Sequence, residues 1–174
     1  MIPHRKPNRL PNYNYSKPWW YFVTICTKDK TKWFGEIDKG EMKLNKYGKI
    51  VKQCWLDLPN HYHNCEFDTW IIMPNHFHGI VIINNISPVP VGTGLKPVPT
   101  IRTQHSLSEI IRGFKTFSSR RINETKPQIE FRWQRSFYDH IIRNEISCNK
   151  IREYIQNNPM RWEFDKNSED QIEL

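Results

Sequence analysis

The sequence has 174 residues, of which 37% are hydrophobic and 13% aromatic, so it is large enough for one domain with a substantial core. Its formal net charge of +8 favours a polyanionic partner. Its apolar runs are far shorter than the ~18 residues of a membrane helix, and its basic N-terminus has no apolar stretch behind it, so we expect a cytoplasmic protein without a secretory signal.

The N-terminal part of the chain predicts an arm, a strand and a helix. Residues 1–18 lack periodicity and are rich in Pro, Asn, Tyr and basic residues, which indicates a basic arm. The β-branched and aromatic run 19–27 predicts the first strand, and a small hairpin turns at 38–40. Apolar residues then recur every three or four positions from Tyr47 to Leu58, which predicts an amphipathic helix that ends at the following Pro-Asn pair.

The most strand-like segment is 68–83, where two apolar, β-branched runs flank a Pro-Asn turn and predict a hairpin. Because side chains alternate along a strand, His76 and His78 leave one face of it and Phe77 leaves the other. Two imidazoles on one face can bind one divalent ion. A solvated or hydrogen-bonded histidine pair at a strand edge is the alternative.

Other candidate metal ligands in the sequence are weaker. A second pair, His61 and His63, lies just past a helix terminus and has no strand to fix it, so we do not expect it to bind a metal. The four cysteines show no Cys-x-x-Cys spacing and fall in predicted strands and helices. They are predicted to be reduced, mostly buried thiols.

A long loop and a basic helix are predicted next. Residues 84–100 hold four prolines and two glycines, which are typical of a loop. Ser106 and Glu109 then form a capping box for a helix with an apolar stripe. The opposite face of this helix carries Arg112, Lys115, Arg120 and Arg121. Such a row is ordinarily a solvated face, but 11 Lys or Arg against 5 Asp or Glu in 101–152 favour contact with nucleic acid.

The C-terminal part predicts a short strand over 131–133 and a third helix that begins near residue 145. The buried side of this helix carries Cys148, Ile151 and Ile155. Pro159 is expected to end it, because the residue before a proline avoids the helical region. The order strand, helix, strand, strand, helix, strand, helix predicts an α+β, ferredoxin-like sandwich with a central antiparallel sheet and helices packed on it.

The motifs of several common enzyme classes are absent from the sequence. It has no Gly-x-Ser-x-Gly elbow, no phosphate-cradling glycine loop and no paired carboxylates near the histidine pair. A tyrosine is the remaining candidate nucleophile, and its phenol, with a pKa near ~10, needs a nearby cation to attack phosphorus. Composition alone does not choose among the seven tyrosines.

Three sequence blocks occur in order along the chain: Met73-Pro74-Asn75-His76-Phe77-His78, Trp133-Gln134-Arg135-Ser136-Phe137-Tyr138-Asp139-His140 and Tyr154-Ile155-Gln156-Asn157-Asn158-Pro159. Together they resemble the HUH single-strand DNA transposases, specifically the REP-associated tyrosine transposase branch. The resemblance divides the chain into a basic arm at 1–18, a transposase domain at 19–162 that includes the loop 84–100, and an acidic tail at 163–174.

The resemblance implies roles for four residues. In this family a histidine pair, here His76 and His78, holds Mg²⁺ or Mn²⁺, and the tyrosine of the third block, here Tyr154, attacks DNA. Asn158 matches a metal-binding amide four residues after the tyrosine. The implied reaction cleaves and rejoins single-stranded, stem-loop DNA through a 5′-phosphotyrosine link without a nucleotide cofactor. A monomer is favoured over a swapped-site homodimer.

The expected DNA contacts are Arg112, Lys115, Arg120, Arg121, Arg135 and Arg143. Trp19, Trp20 and Trp133 are candidates for base stacking where they are exposed, and His140 in the second block receives no chemical role. Two other functions stay open from the sequence: a protein of the same fold that binds hairpins without cutting them, and a metal-dependent hydrolase of small phosphoesters.

Overall fold

The structure is a computed structural model that describes residues 13–86, 103–125, 128 and 130–164. Most of the predicted arm, loop and tail therefore lies outside the described residues. The strands are β1 (Trp19–Cys26), β2 (Gly35–Asp38), β3 (Glu41–Leu44), β4 (Cys65–Ile72), β5 (His76–Ile83) and β6 (Tyr138–Ile141). The helices are α1 (Lys46–Leu56), α2 (Leu58–His61), α3 (Leu107–Thr125) and α4 (Glu145–Phe164), and a 3-10 turn spans Lys28–Lys30.

Four strands form an antiparallel sheet in the order β4-β5-β1-β6, and β2 and β3 form a separate hairpin. The central pair of the sheet, β1 and β5, is in register from Trp19 opposite Ile83 to Cys26 opposite His76. This order, with α1 following β1 and α3 following β5, is the arrangement of two interlocked strand-helix-strand units. The predicted ferredoxin-like sandwich is confirmed.

Side-chain alternation separates the apolar residues into two clusters on opposite faces of the sheet. Trp55 of α1 and Phe114 of α3 pack on Phe77 of β5, with ring centroids 4.3 and 5.4 Å from the Phe77 ring. On the other face, the buried side chains of Phe22 and Ile80 form a smaller cluster with α4. The α4 residues in that cluster are Cys148, Ile151 and Ile155. We call these two sides the aromatic face and the α4 face.

The two prolines expected to end helices differ in outcome. Helix α1 ends at Leu56, before Pro59, as predicted, whereas Pro159 lies inside α4. The four-residue helix α2 has Pro59 in its first turn. Backbone N–H groups there have no partner within the helix, so a proline costs no hydrogen bond at this position. Helix α4 runs through Pro159 to residue 164. Its second half contacts β2 and β3, and Met160 packs against Gly40, a residue with φ of 74°. These tertiary contacts offset the backbone hydrogen bond that Pro159 cannot donate.

The fourth strand of the sheet was predicted in the wrong place. In the predicted segment 131–133, Trp133 makes a single bridge to Thr27, whereas the strand that pairs with β1 is β6, at 138–141. Strand β4 is also longer than expected, beginning at Cys65, with a bulge between Phe67 and Trp70.

Two expectations about the whole chain can be compared with the structure. All four cysteines are free thiols, and Cys54, Cys65 and Cys148 are buried while Cys26 is half-buried. Among the described residues, none of the helices combines the length and the apolar character that crossing a membrane requires.

Candidate active site

The two histidines of the first block lie side by side on the α4 face of the sheet. His76 and His78 are only 2% and 0% exposed, and their ring centroids are 4.5 Å apart. Phe77 between them points to the aromatic face, as the alternation of a strand requires. The two imidazoles are therefore held on one surface by a strand that is paired on both sides.

Hydrogen bonds to the inner nitrogens orient both imidazole rings. The Asn75 amide nitrogen donates to the Lys30 carbonyl at 3.0 Å, which turns its oxygen towards His76 Nδ1 at 2.7 Å. An amide oxygen only accepts, so Nδ1 of His76 carries the proton and Nε2 keeps its lone pair. His78 Nδ1 lies 2.9 Å from the Thr24 hydroxyl on β1. Each ring is thus fixed through Nδ1 and presents Nε2.

Burial keeps both imidazoles neutral. Desolvation lowers the pKa of His76 to about 4, although the nearby Asn158 side chain opposes this shift, and the Lys30 charge adds to it. Desolvation and the neighbouring His76 lower the pKa of His78 well below its usual value. Near pH 7 both rings are therefore uncharged, which is the state in which imidazole binds a metal ion.

Helix α4 brings a phenol to the histidine pair. Tyr154 Oη lies 3.5 Å from His78 Nε2, and the two rings meet edge to face with centroids 5.3 Å apart. Phe22 supports the tyrosine ring edge-on from the sheet. Residues separated by 76 positions in sequence thus share one pocket.

A bidentate ion pair fixes α4 against the sheet two residues before the phenol. Arg152 Nε and Nη2 donate to the two Asp68 carboxylate oxygens of β4 at 2.9 and 2.7 Å. The guanidinium holds the pKa of Asp68 at about 2, well below its usual range. Because both side chains are partly covered, this pair restrains the rotation of α4 and hence the direction of Tyr154.

Asn158 supplies a third donor next to the histidine pair. It lies four residues after Tyr154 on the same side of α4, is 4% exposed, and is close enough to His76 to raise the pKa of that imidazole. No group of three or more His, Cys, Asp or Glu side chains among the described residues has the geometry of a metal site. The donors available here are therefore two neutral imidazoles and one amide oxygen, groups that can bind a divalent metal ion.

Sequence analysis missed two residues of the site that follow Pro159. Arg161 lies over Tyr154, with its guanidinium carbon 5.9 Å from the centre of the phenol ring. Trp162 lies 5.7 Å from the His76 ring, and the Lys32 ammonium lies over the indole at 5.8 Å. A helical spacing of seven and eight residues from Tyr154 is the signal that would have found them, had α4 been extended past the proline.

The residues of the second block are divided between the two faces of the sheet, with Trp133 in the aromatic-face cluster and His140 on the α4 face. His140 of β6 is opposite Phe22 in the register, and Arg143 is exposed just beyond the strand. Both line a concavity next to Tyr154. Arg135 is exposed, but Trp133 is buried and donates its indole N–H to Ser118 at 2.9 Å, so it is not available for base stacking. Trp19 remains 45% exposed and Trp20 half-buried.

The predicted basic row lies elsewhere, because α3 packs on the aromatic face. Arg112, Arg120 and Arg121 are exposed there, on the side of the sheet opposite Tyr154. Lys115 is half-buried and donates to the carbonyls of Gln134 and Arg135 at 2.6 and 3.0 Å. Its ammonium therefore ties α3 to the second block. Contact between this row and DNA stays a prediction.

The rival histidine pair does not share the geometry of the first. His61, in α2, and His63 are exposed, and His61 Nε2 lies 3.0 Å from the Asp57 carboxylate one turn earlier.

Comparison with known proteins adds a family and two relatives. The family model described as "Transposase IS200 like" matches residues 17–158. An uncharacterized protein of Haemophilus influenzae is 40% identical over 169 residues, covering 95% of this chain and 93% of its own. A solved REP-associated tyrosine transposase bound to a REP hairpin is similar in fold, with a TM-score of 0.55 at 16% identity over 88% of this chain and 73% of its own.

Proposed function

The chain belongs to the family of IS200-like transposases, and we propose that it is a metal-dependent tyrosine transposase acting on single-stranded, hairpin-bearing DNA. The observation that carries the proposal is the 3.5 Å contact between Tyr154 Oη and His78 Nε2, within a pocket that also contains His76 and Asn158. A potential nucleophile and a potential metal site are therefore adjacent, which suits metal-assisted phosphoryl transfer to a tyrosine.

His76, His78 and Asn158 are the proposed ligands of a divalent ion, Mg²⁺ or Mn²⁺. When bound, the ion polarises the scissile phosphate and offsets the negative charge that develops on it. The protein contributes the orientation of the donors: Asn75 and Thr24 fix the rings through Nδ1, so that both Nε2 atoms are presented without further rearrangement.

The proposed reaction is a transesterification at phosphorus. Tyr154 Oη forms a bond to the scissile phosphorus as the bond from phosphorus to the 3′ oxygen breaks. The phenol proton passes to solvent, and the departing 3′ oxygen takes up a proton, which leaves a 5′-phosphotyrosine and a free 3′-OH. Attack of a 3′-OH on the phosphotyrosine reverses the step and regenerates the phenol without a nucleotide cofactor.

Two features of the pocket support this use of Tyr154. The Arg161 guanidinium lies over the phenol ring, where its positive charge can attract the phosphate that the ring would meet. The buried Phe22 contacts the ring edge-on, and the Arg152–Asp68 pair holds α4 against the sheet. Both restrict the motion of the phenol, which lowers the entropic cost of aligning it with phosphorus.

The substrate class rests on charge and on the solved neighbour. The chain has a formal net charge of +8, and the similar REP-associated transposase was solved with a REP hairpin. We propose action as a monomer, because α4 packs on the sheet of its own chain and brings Tyr154 to His78 there.

The test uses the full-length protein, Mn²⁺ and a 5′- or 3′-labelled DNA hairpin taken from the flanks of its own gene, analysed on a denaturing gel. The wild type is expected to form a protein-linked DNA band. Tyr154→Phe is expected to reduce this band by at least about three orders of magnitude, and His76→Ala or EDTA to abolish it at ordinary enzyme concentrations.

Tyr47→Phe, on helix α1 at the aromatic face, is the matched control and should retain the band. Free cleavage products that survive Tyr154→Phe would contradict the proposed nucleophile. Tight hairpin binding by the wild type without any adduct, unchanged by EDTA and by Tyr154→Phe, would instead favour a protein that binds hairpins without cutting them.

A further inference from the structure

The hairpin of β2 and β3 lies outside the central sheet but contacts two parts of the candidate site. Its base is joined to the turn that precedes His76, and its tip, at Gly40, lies against the second half of α4. We call this element the β2–β3 hairpin. It therefore connects the strand that carries the histidine pair with the helix that carries Asn158.

Backbone hydrogen bonds fix the base of the β2–β3 hairpin. The N–H groups of Trp33 and Phe34, just before β2, both donate to the Pro74 carbonyl, at 2.8 and 3.0 Å. Just after β3, the backbone and side-chain N–H groups of Asn45 donate to the carbonyls of Phe34 and Trp33, each at 2.9 Å. Because Pro74 lies two residues before His76, the base of the hairpin has a fixed position relative to the histidine pair.

The tip of the hairpin fits closely against α4. Gly40 has a φ of 74°, a conformation that favours glycine, and a Cβ atom placed on it would lie 3.1 Å from Met160 Cγ and 3.9 Å from Met160 Cα. The helix can approach the turn this closely because Gly40 has no side chain. Met160 itself is 59% exposed, so its truncation leaves no cavity in the core.

The part of α4 that this contact supports contains Pro159. Asn158 precedes the proline, a position at which the helical conformation is disfavoured, and Pro159 cannot donate the backbone hydrogen bond of a regular helix. The helix nevertheless continues to residue 164. The contacts of α4 with β2 and β3, which include the one between Met160 and Gly40, therefore offset a local preference to end at Asn158.

Two side chains of the site depend on this continuation of the helix. Asn158 is 4% exposed and lies beside His76. Trp162, four residues later on the same side of α4, has its ring centroid 5.7 Å from that of His76, and the Lys32 ammonium lies over the indole at 5.8 Å. If α4 unwound at Pro159, the backbone of Asn158 would lose its fixed conformation and Trp162 its position beside the imidazole.

We propose that the β2–β3 hairpin positions Asn158 for metal binding, because the contact between Gly40 and Met160 keeps α4 helical across Pro159. Gly40 and Met160 are positioning residues, since they act through Asn158. This inference rests on the proposed function, in which Asn158 is a metal ligand, and adds to it the element on which the orientation of that ligand depends.

The experiment measures Mn²⁺ binding to the full-length protein by isothermal titration calorimetry, in a double-mutant cycle of Met160→Ala and Asn158→Ala. Asn158→Ala should weaken binding at least about tenfold, because it removes a ligand. Met160→Ala should weaken it about three- to fivefold, although alanine has the higher helix propensity. The double variant should bind as weakly as Asn158→Ala alone, because Met160 acts through the amide that is already absent.

Variants of the turn and of a second exposed side chain complete the comparison. Gly40→Ala places a Cβ atom against Met160 and should reduce Mn²⁺ affinity as Met160→Ala does, whereas Met160→Leu retains an apolar contact and should restore it. Lys39→Gly changes the neighbouring residue of the turn, which has a φ of 53°, and should keep the wild-type affinity. Leu56→Ala, which truncates a side chain that is 41% exposed on α1, should also keep it.

Hydrogen exchange of the backbone amides, measured by mass spectrometry without metal, gives a second readout. In Met160→Ala and Gly40→Ala the amides of residues 160–164 should exchange at least about fivefold faster than in the wild type, because the contact that opposes local unwinding is lost. The amides in the first half of α4 should exchange at the wild-type rate. Thermal unfolding of each variant verifies that the fold is retained.

The outcomes separate this inference from the proposed function. If the wild type binds no Mn²⁺, the proposed function fails, and faster exchange at 160–164 in both variants still supports the effect of the hairpin on α4. Mn²⁺ affinities of Met160→Ala and Gly40→Ala equal to that of the wild type, or additive losses in the double variant, overturn the inference even if the protein forms the DNA adduct. Unchanged exchange at 160–164 overturns it as well.

Discussion

The two faces of the central sheet differ in how their residues are used. The aromatic face is covered by α1 and α3 and contains the large buried rings of Trp55, Phe77 and Phe114. The α4 face has a small apolar cluster, and beside it lie the polar groups of the site. One face therefore supplies most of the apolar burial that stabilises the domain, which leaves the other free to hold groups that are costly to bury.

Strand β5 shows this division within three residues. Phe77 packs on Trp55 at a centroid distance of 4.3 Å, while His76 and His78, one residue to either side, meet Asn158 and Tyr154 on the other face. Packing of Phe77 fixes the strand, and the fixed strand positions the imidazoles. The rigidity of the site thus depends on the face that takes no part in the proposed chemistry.

The largest expected effect distinguishes these neighbouring positions. Phe77→Ala should lower the free energy of unfolding by about 3–5 kcal/mol, because it leaves a cavity among buried rings. His76→Ala should lower it by about 1–2 kcal/mol, but should weaken Mn²⁺ binding at least about 100-fold through loss of a donor. Urea unfolding and isothermal titration calorimetry with Mn²⁺ measure the two quantities. Equal stability losses, or undiminished Mn²⁺ binding by His76→Ala, would contradict the division of the two faces.

A smaller effect is expected where α4 is attached to the sheet. The folded-state pKa of Asp68, about 2, is below its usual value of about 4, so the ion pair with Arg152 stabilises the fold above pH 4 and loses this contribution as the pH falls towards 2. After allowance for solvent access, Asp68→Asn should lower the free energy of unfolding at pH 7 by about 1–2 kcal/mol. The difference from wild type should shrink below pH 4.

Urea unfolding at several pH values between 3 and 7 tests this dependence. Glu41→Gln, at an exposed position on β3, is the control and should show a small difference from the wild type throughout. If Asp68→Asn has the same loss in free energy of unfolding at pH 3 as at pH 7, the charge of the Asp68 carboxylate is not the cause of that loss.

The smallest effect is expected for the basic row on α3. Because α3 packs on the aromatic face, Arg120 and Arg121 would contact DNA away from the scissile phosphate. Arg120→Gln, Arg121→Gln should raise the half-saturating DNA concentration about threefold and leave the maximal single-turnover rate of adduct formation unchanged. A fall in the maximal rate at saturating DNA would place these side chains closer to the chemistry than the fold indicates.

The sequence predicted correctly the features that depend only on residues close together in the chain. The alternation around Phe77 placed the histidines on one face, and the Ser106–Glu109 capping box forms, with the Ser106 N–H donating to the Glu109 carboxylate at 2.8 Å. Pro159 was misjudged, because a local rule gives only the intrinsic cost of a proline. In α4 that cost is offset by contacts of the second half of the helix with β2 and β3.

The incorrect predictions for Pro159 and for the fourth strand both made the predicted site incomplete. With α4 ended at the proline, Arg161 and Trp162 had no predicted position near Tyr154 or His76. With the strand placed at 131–133, the side of Tyr154 towards β6 had no predicted wall, and the concavity next to Tyr154 could not be anticipated. Trp133 has the hydrophobic character typical of a strand residue. In the structure it is instead buried against α3 and donates a hydrogen bond to Ser118.

The sequence by itself determined which side chains alternate along β5, where α3 begins, and that a histidine pair and a tyrosine block are present in one chain. Only the tertiary structure decided that Tyr154 approaches His78, that α3 turns its arginines to the opposite face, and that a concavity opens beside β6. The reason is that the periodicity of a sequence predicts only the face of its own strand or helix on which a side chain lies. The distance between residues 76 positions apart depends instead on strand order and on the packing of α4 against the smaller apolar cluster.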